Sequence, residues 1–451
     1  MDLEGYAKNL ISKKDQTAHQ KIKERMIEFK KIDEECADSL VKAVFEETQS
    51  ALSLKGDLFE YYKSGVTMGD FGIGSRGEGD FYAHEKIGRV IGKTNAVLDS
   101  SHLDDSGVVE VGDNSDYLVV TVDGMHSRLS AFPFLAGFHV AKAALRDIYV
   151  MGAKPAAMLS DIHVADDGDA SMIFDHLAGI STVSELTDIP LVTGSTLRIG
   201  GDMVIGERMT GCVGAVGTVC ASDLTARNQA APGDSILMTR GTGGGTITTA
   251  AIYSGYPDAE KVIEKTLNVD FLRAAQALLD SKNILKQIHV MTDVTNGGVR
   301  GDAFEISKEA NVRLVFNDDS LEQCVEPAIS NMLADLGIDF RGVSIDSLLV
   351  ICPPEISGDI LQIVQNSGVF MTVVGHVEEK NPEKYDTALI VNGEEKEFKP
   401  LFRESAYTPL KKAIGEKKPS NFNEMKKEID AAANAAIEKK KRILERIQNK
   451  N

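Results

Sequence analysis

The chain has 451 residues, more than one ordinary hydrophobic core accommodates, so its length predicts two domains with extensions. With 43% hydrophobic and 26% charged residues, the composition is globular, which excludes a disordered or membrane-spanning class. A formal net charge of −19 excludes nucleic acid as the main partner, because phosphate backbones need basic patches. It leaves a nucleotide open, because magnesium mediates between carboxylates and phosphates.

Five cysteines, Cys36, Cys212, Cys220, Cys324 and Cys352, occur without CxxC spacing. That argues against a disulfide framework or zinc site and fits a reducing cytoplasm. The N-terminal MDLEGYAKNLISKKDQ lacks an apolar core of signal-peptide length. No run of about 18 uncharged apolar residues is present, so no membrane span is expected.

Taken in chain order, residues 1–66 form a Lys-, Glu-, Ala- and Leu-rich extension. Met26, Phe29, Ile32, Cys36, Leu40 and Val44 recur at three- and four-residue steps, predicting one amphipathic helical run. Five glycines in MGDFGIGSRGEGDF (positions 69–79) predict a loop. YLVVTVD (117–123) reads as a strand ending in a carboxylate, and FHVAKAALRDIYVMGA (138–153) as a helix stopped by Gly152 and Pro155. AAMLSDIHVA, IPLVTG and MTGCVGAVGTVC read as strands around the helix MIFDHLAGISTVSEL. A polar stretch ending in Pro232-Gly233 marks a boundary near 221–233. The second block alternates strands (SILMTRG, HVMTDVT, SLLVICP, MTVVGHV) with helices, including a long one over KVIEKTLNVDFLRAAQALLDS, and closes near 392. The tail carries a strongly helical segment whose KKKR run reads as a solvated face. The expected domains are a helical extension (1–66), two α/β domains (67–222 and 223–395) and a helical tail (396–451).

Five features can carry chemistry. Adjacent Asp104 and Asp105 repel each other unless solvated or bound to a cation. Asp123 ends a strand, where open α/β sheets bind ligands, although any loop can start with Asp. Asp147 lies on a helix among apolar neighbours, either half-buried with a cation or paired with Arg146 at the surface. MTDVTNGGVRGDAFEI is the most specific motif. Asp293 ends a strand, Thr295 follows, and Gly297-Gly298 lets the next helix start tightly against a bound anion. The loop at 69–80 contains GxGxxG as Gly72, Gly74 and Gly77, and Arg76 could reach terminal phosphate oxygens. No strand precedes it, so a Rossmann reading is weak. The TRGTGGG turn (239–245) reads as strand–helix packing, and His126 is kept as a minor candidate beside Asp123.

In order, these motifs resemble the AIR synthase-like superfamily, which includes AIR synthase, formylglycinamide ribonucleotide amidotransferase, thiamine-phosphate kinase, selenophosphate synthetase and the hydrogenase maturation factor HypE. The stretches TVD, DIYVMGAKP and MTDVT are closest to selenophosphate synthetase. The resemblance covers roughly residues 68–392. It implies a two-domain PurM-like α/β fold that dimerises through N-terminal sheets joined into a barrel, with a C-terminal α/β sandwich. It also implies Asp105, Asp123, Asp147 and Asp293 as magnesium or ATP-phosphate contacts assisted by Asp104, with the Gly-rich loop as a mobile cover. ATP, Mg2+ and an unnamed small acceptor are the implied ligands. Four departures stand out. The Gly-rich loop has neither Cys nor Lys. Ala143 and Arg146 stand where Asn and Ser are common. The usual Gly-Gly-Asp/Glu/His-Thr/Ser segment is Thr193-Gly194-Ser195-Thr196. HypE ends in a Cys, whereas this sequence ends in Asn451. The expected function is a cytoplasmic, homodimeric ATP-dependent phosphotransferase or ligase. The alternatives are a nucleotide-binding assembly factor that meets a protein partner through its terminal helices, or a homologue that has lost ATP binding. On this reading Asp293→Asn weakens Mg-ATP binding and leaves the fold intact.

Overall fold

The computed structural model describes residues 1–112 and 116–449. The N-terminal extension is three helices, Leu3–Ser12 (α1), Ala18–Lys30 (α2) and Glu34–Ser53 (α3). Asp2 and Asp33 cap α1 and α3, accepting from the backbone N–H of Gly5 and Cys36. Leu3, Ile22, Met26, Val41 and Phe45 share a small core with Ile205. The expected single run is interrupted. The left-handed Lys31 ends α2, α3 starts after Asp33, and Phe29 and Leu40 therefore stay exposed. The Gly-rich stretch is likewise more ordered than a loop, because Met68–Phe71 (α4) and Glu78–Ile91 (α5) bracket a turn over 72–77.

The first sheet contains Gly107–Glu110 (β1), Asp116–Gly124 (β2), Lys154–Val164 (β3), Leu191–Arg198 (β4) and Met209–Cys220 (β5), in the order β1-β2-β5-β3-β4. Only β3 and β4 run parallel. Helices Pro133–Tyr149 (α6) and Ser171–Thr187 (α7) pack together, and α6 covers the sheet. Proline at the first turn starts α6 without losing a hydrogen bond. Val120, Val122, Leu159 and Leu197 are exposed on the other face, where Val122 and Leu159 flank Gly214 in register.

The second sheet is built from Ser235–Thr239 (β6), Val290–Val294 (β7), Val312–Asn317 (β8), Ser347–Cys352 (β9), Met371–Glu379 (β10), Thr387–Val391 (β11) and Glu394–Glu397 (β12), in the order β12-β11-β8-β10-β6-β9-β7. The block thus runs on past the expected closure near 392. Its strands β6, β7 and β9 are almost continuously apolar because both their faces are covered, whereas β12 (EEKE) is exposed. The helices are Gly245–Tyr253 (α8), Ala259–Thr266 (α9), Asp270–Asp280 (α10), Lys282–Leu285 (α11), Gly298–Ala310 (α12), Asp318–Gln323 (α13), Pro327–Asp335 (α14) and Pro354–Asn366 (α15). The expected long helix over 261–281 is therefore two, α9 and α10. At the break the Asn268 side chain accepts from Asp270 N–H at 2.9 Å, a cap competing with helix continuation. One core runs from α6 through α10 and α15 to β7 and β9, so α6 is shared between the two halves.

Pro409–Ile414 (α16) and Phe422–Gln448 (α17) close the chain. Phe422 and Met425 bury against Phe71, Ala83 and Phe402, which seats α17 along α5. Lys440 donates to the terminal carbonyls of α5, Val90 (3.1 Å) and Ile91 (2.6 Å), and Arg442 pairs with Asp57. The KKKR run is thus partly structural rather than merely solvated.

Candidate active site

The shared position of α6 decides where the carboxylates meet. Asp123 leaves the end of β2, Asp147 lies on α6, Asp293 ends β7, and Asp104 and Asp105 precede β1. All five line one cleft of about 610 Å³ between the two sheets. Burial raises Asp147 well above the usual carboxylate range, and repulsion from Asp293, Asp123 and Asp105 adds to it. Thr121 donates to Asp147 at 2.8 Å, and among the described residues no cation stands within salt-bridge distance of it. Burial also raises Asp123, against Arg146, and carries Asp293 up to about 7 and Asp104 up to about 6, against Arg146 and Arg227 respectively. Crowded carboxylates held partly protonated are what a divalent cation relieves.

Two buried guanidiniums neutralise the remaining charge. Arg146, the residue after Leu145 on α6, pairs with Asp293 through Nε (2.9 Å) and with Asp346 through Nη1. Lys142, one turn earlier, pairs with the same Asp346 carboxylate at 3.3 Å. Burial would raise Asp346, but these cations outweigh it and hold it well below its ordinary value. Arg227 donates to Asp105 (2.6 Å), Glu305 (2.6 Å), Thr292 (3.0 Å) and the Leu103 carbonyl (2.8 Å), and its backbone N–H donates to Asp104 at 3.0 Å. Thr292 in turn donates to Asp105 at 2.8 Å. The sequence reading missed Arg227, which sits in the polar boundary segment, and Asp346, and it passed over Glu305. None carries a local signal beyond its charge. Arg76, Leu103 and Asp346, all in the cleft wall, hold left-handed backbone (φ +51°, +50° and +55°), a strain that packing around a site sustains.

The predicted loop residues divide. Gly74 and Arg76 line the cleft, whereas Gly72 and Gly77 do not. Arg76 donates to Glu305 (3.0 Å) and to the Asn296 carbonyl (3.0 Å) rather than standing free. A Cβ at Gly77 would meet the Phe402 carbonyl at 2.2 Å, so that glycine serves packing against the tail. Thr295 faces the cleft, while Gly297 and Gly298 start α12 with positive φ against Arg76 and the Arg341 backbone. The segment 193–196 lies on β4, exposed at the sheet edge and away from the cleft. Ala143, Arg146 and His126 all line it.

The donor set bears on a magnesium ion. Among the described residues no three His, Cys, Asp or Glu side chains form a protein-only cage. Magnesium is ordinarily held by one or two carboxylates plus water and substrate phosphates. Asp147 and Asp123, close enough to repel, fit that pattern, with Asp105 and Asp293 beside them.

Two α/β layers joined by a shared helix, with carboxylates from both converging on one cleft, define a PurM-like two-domain protein. The chain belongs to the AIR synthase related family: residues 103–219 match the model of its N-terminal domain and 231–386 that of its C-terminal domain. An uncharacterised protein of Methanocaldococcus jannaschii is 49% identical over 100% of this chain and 99% of its own length. The selenide, water dikinase of Geobacter metallireducens is 25% identical over 65% of this chain and 90% of its own. The solved hydrogenase maturation protein HypE in complex with ATP is similar in fold, with TM-score 0.52, 17% identity and coverage of 66% of this chain and 88% of that one. So is AaThiL complexed with AMPPCP and TMP, with TM-score 0.53, 20% identity and coverage of 72% and 96%.

Proposed function

We propose that this protein is a Mg-ATP-dependent enzyme that transfers phosphate to, or activates, a small-molecule acceptor. The observation that carries the reading is the convergence of Asp105, Asp123, Asp147 and Asp293 from both halves on one cleft. In the reading, Asp123 and Asp147 hold magnesium with Asp105 and Asp293 beside them, and Asp104 assists by orienting Arg227. Magnesium supplies neutralisation of the phosphates. Thr295 and the start of α12 meet phosphate oxygens, and Arg76 and the turn over 72–77 exclude water from the transferring group. The chain works as a cytoplasmic homodimer joined through the exposed Val120, Val122, Leu159 and Leu197 face.

A second reading, a nucleotide-binding assembly factor with little turnover, is favoured by Arg146, which already neutralises Asp293. Calorimetric titration with a non-hydrolysable ATP analogue, with and without magnesium, tests the nucleotide claim. Magnesium-dependent binding is expected, and its absence from a folded sample removes both readings. An acceptor screen for ATP-dependent product then separates enzyme from factor.

A further inference from the structure

The carboxylates that face the cleft are unevenly supplied with counter-charge. Arg227 serves Asp105 and Glu305, offers its backbone N–H to Asp104, and is joined at Glu305 by Arg76. Arg146 serves Asp293 and Asp346, and Lys142 joins it at Asp346. Lys411 is spent elsewhere. It enters with the C-terminal segment 400–411, which crosses the Gly-rich turn as a strap whose Glu404 N–H donates to the Ser75 carbonyl at 3.1 Å. Its Nζ donates to the hydroxyl of buried Tyr407, which lies 3.0 Å from His126 Nε2. That leaves Asp123 and Asp147, neither of which has a cation within salt-bridge distance among the described residues. The two adjoin. Thr121 donates to Asp147 at 2.8 Å, and Asp123 follows two residues later on the same face of β2. Two carboxylates on one side of the cleft are thus left without a counter-charge, while the pair on the other side is bridged by an arginine.

That arginine is rigidly placed. The Arg146 side chain is 5% exposed. Its Nε donates to Asp293 at 2.9 Å, its Nη1 pairs with Asp346, and the Phe271 ring centroid lies 5.7 Å from its Cζ. Asp293 stands near the end of β7 and Asp346 just before β9, and the Asp346 N–H donates to the Val294 carbonyl at 3.0 Å, which sets the two carboxylates side by side. Lys142 (3.3 Å) and the Ser344 hydroxyl (2.8 Å) fix Asp346 further. Two carboxylates converging from neighbouring strands form the kind of gap a divalent ion bridges, and here a guanidinium bridges it. A dication at the same oxygens would stand beside a fixed positive charge and be repelled. The Nη2 of Arg146 makes no hydrogen bond among the described residues, and the side chain lines the cleft, so the guanidinium keeps a donor for a ligand.

We propose that Arg146 is a built-in cation of this site. It fills the position between Asp293 and Asp346, so the cleft takes one divalent ion, at Asp123 and Asp147, and it gives its free Nη2 to a nucleotide phosphate. The phosphate contact rests on the nucleotide reading above. The ion count does not, because it follows from how the chain's own charges are paired.

The test counts Mn2+ ions on the full-length protein by electron paramagnetic resonance, at physiological ionic strength, where the acidic surface is screened. Mn2+ is titrated alone and with one equivalent of AMPPNP. The wild type should bind a single ion per chain in both titrations, and a second ion, or none, overturns the proposal. Arg146→Ser opens the gap between Asp293 and Asp346 and should gain a second ion, and an unchanged count on the folded variant overturns the proposal as well. If Arg146→Ser does not fold, the wild-type count and Arg146→Lys still decide. Arg146→Lys keeps the charge but loses the fork, so it should keep the single ion and bind AMPPNP about tenfold more weakly. A second ion on Arg146→Lys overturns the built-in charge, and undiminished AMPPNP affinity overturns the phosphate contact. A wild type that binds Mn2+ but no AMPPNP removes the nucleotide reading alone, because the count without nucleotide still reports on Arg146.

Discussion

At the scale of single residues, the site is a balance of buried charge, and its two halves should respond oppositely to substitution. Arg227 is shared by Asp105, Glu305 and the more distant Asp302 at 3.5 Å. Removing it strands buried carboxylates, so Arg227→Met should lower stability by about 3–5 kcal/mol. Urea unfolding reads this directly, and a loss under about 1 kcal/mol would show that water reaches the web. Asp147 is the converse case: a half-buried carboxylate with no cation within salt-bridge distance among the described residues, kept high by desolvation and by its neighbours. Asp147→Asn should raise the melting temperature of the nucleotide-free protein while weakening magnesium-dependent AMPPNP binding, a trade of stability against function. Protonation follows the same logic. A carboxylate whose folded pKa is raised favours the fold below its unfolded pKa and costs stability as pH rises through the folded value. Asp104 and Asp293 titrate near 6 and 7, so between pH 6 and 8 they become ionised and open to a cation. The rise in melting temperature on adding Mg-AMPPNP should therefore be larger at pH 8 than at pH 6, and an equal rise would disconnect these carboxylates from the metal. Asp293→Asn is a poorer probe than the sequence suggested, because Asp293 also holds Arg146.

At the scale of elements, the aspartates were legible because each sits at a strand end or on a helix in a recognisable order. Arg227, Asp346, Tyr407 and Lys411 were not, because they lie in connecting or terminal segments that long-range packing alone brings to the cleft. The helix breaks at Lys31 and Asn268 escaped for a related reason: apolar spacing continues across both, while one left-handed residue and one side-chain cap end the helices. The sequence left open whether the tail helix packs on its own chain or on a partner; its Phe422 packs on Phe71 and Phe402 with ring centroids 5.1 Å away in each case. Those contacts tether the Gly-rich turn, which the family resemblance makes a mobile cover. Phe402→Ala should remove about 3–5 kcal/mol of packing and, if the strap holds the turn, speed amide exchange over residues 69–80 more than in β6–β9. Uniform acceleration across the chain would instead mean that the cluster supports the whole fold.

At the scale of the whole molecule, the two halves are unequal in how they cover their sheets. Strands β6, β7 and β9 of the second sheet are covered on both faces, whereas the first sheet presents Val120, Val122, Leu159 and Leu197 outward, with Val122 66% exposed. The N-terminal helices do not cover this face, since their apolar side is spent on a core with Ile205. The exposed apolar patch of Val120, Val122 and Leu159 on this face, bordered by Asp161 and His163, is costly in water unless another surface meets it, and a two-fold copy of itself is the simplest such surface. The cleft lies on the opposite side of the same sheet, where β2 alternates Thr121 and Asp123 inward with Val120 and Val122 outward. Association through one face would therefore stiffen the strand that delivers Asp123 to the other. Val122→Glu places a charge in the middle of the apolar face without touching the cleft. Light scattering should find the wild type dimeric and this variant monomeric, with magnesium-dependent AMPPNP binding weakened in the monomer. A monomeric wild type would refute the dimer, and a monomeric variant with undiminished binding would uncouple association from the site.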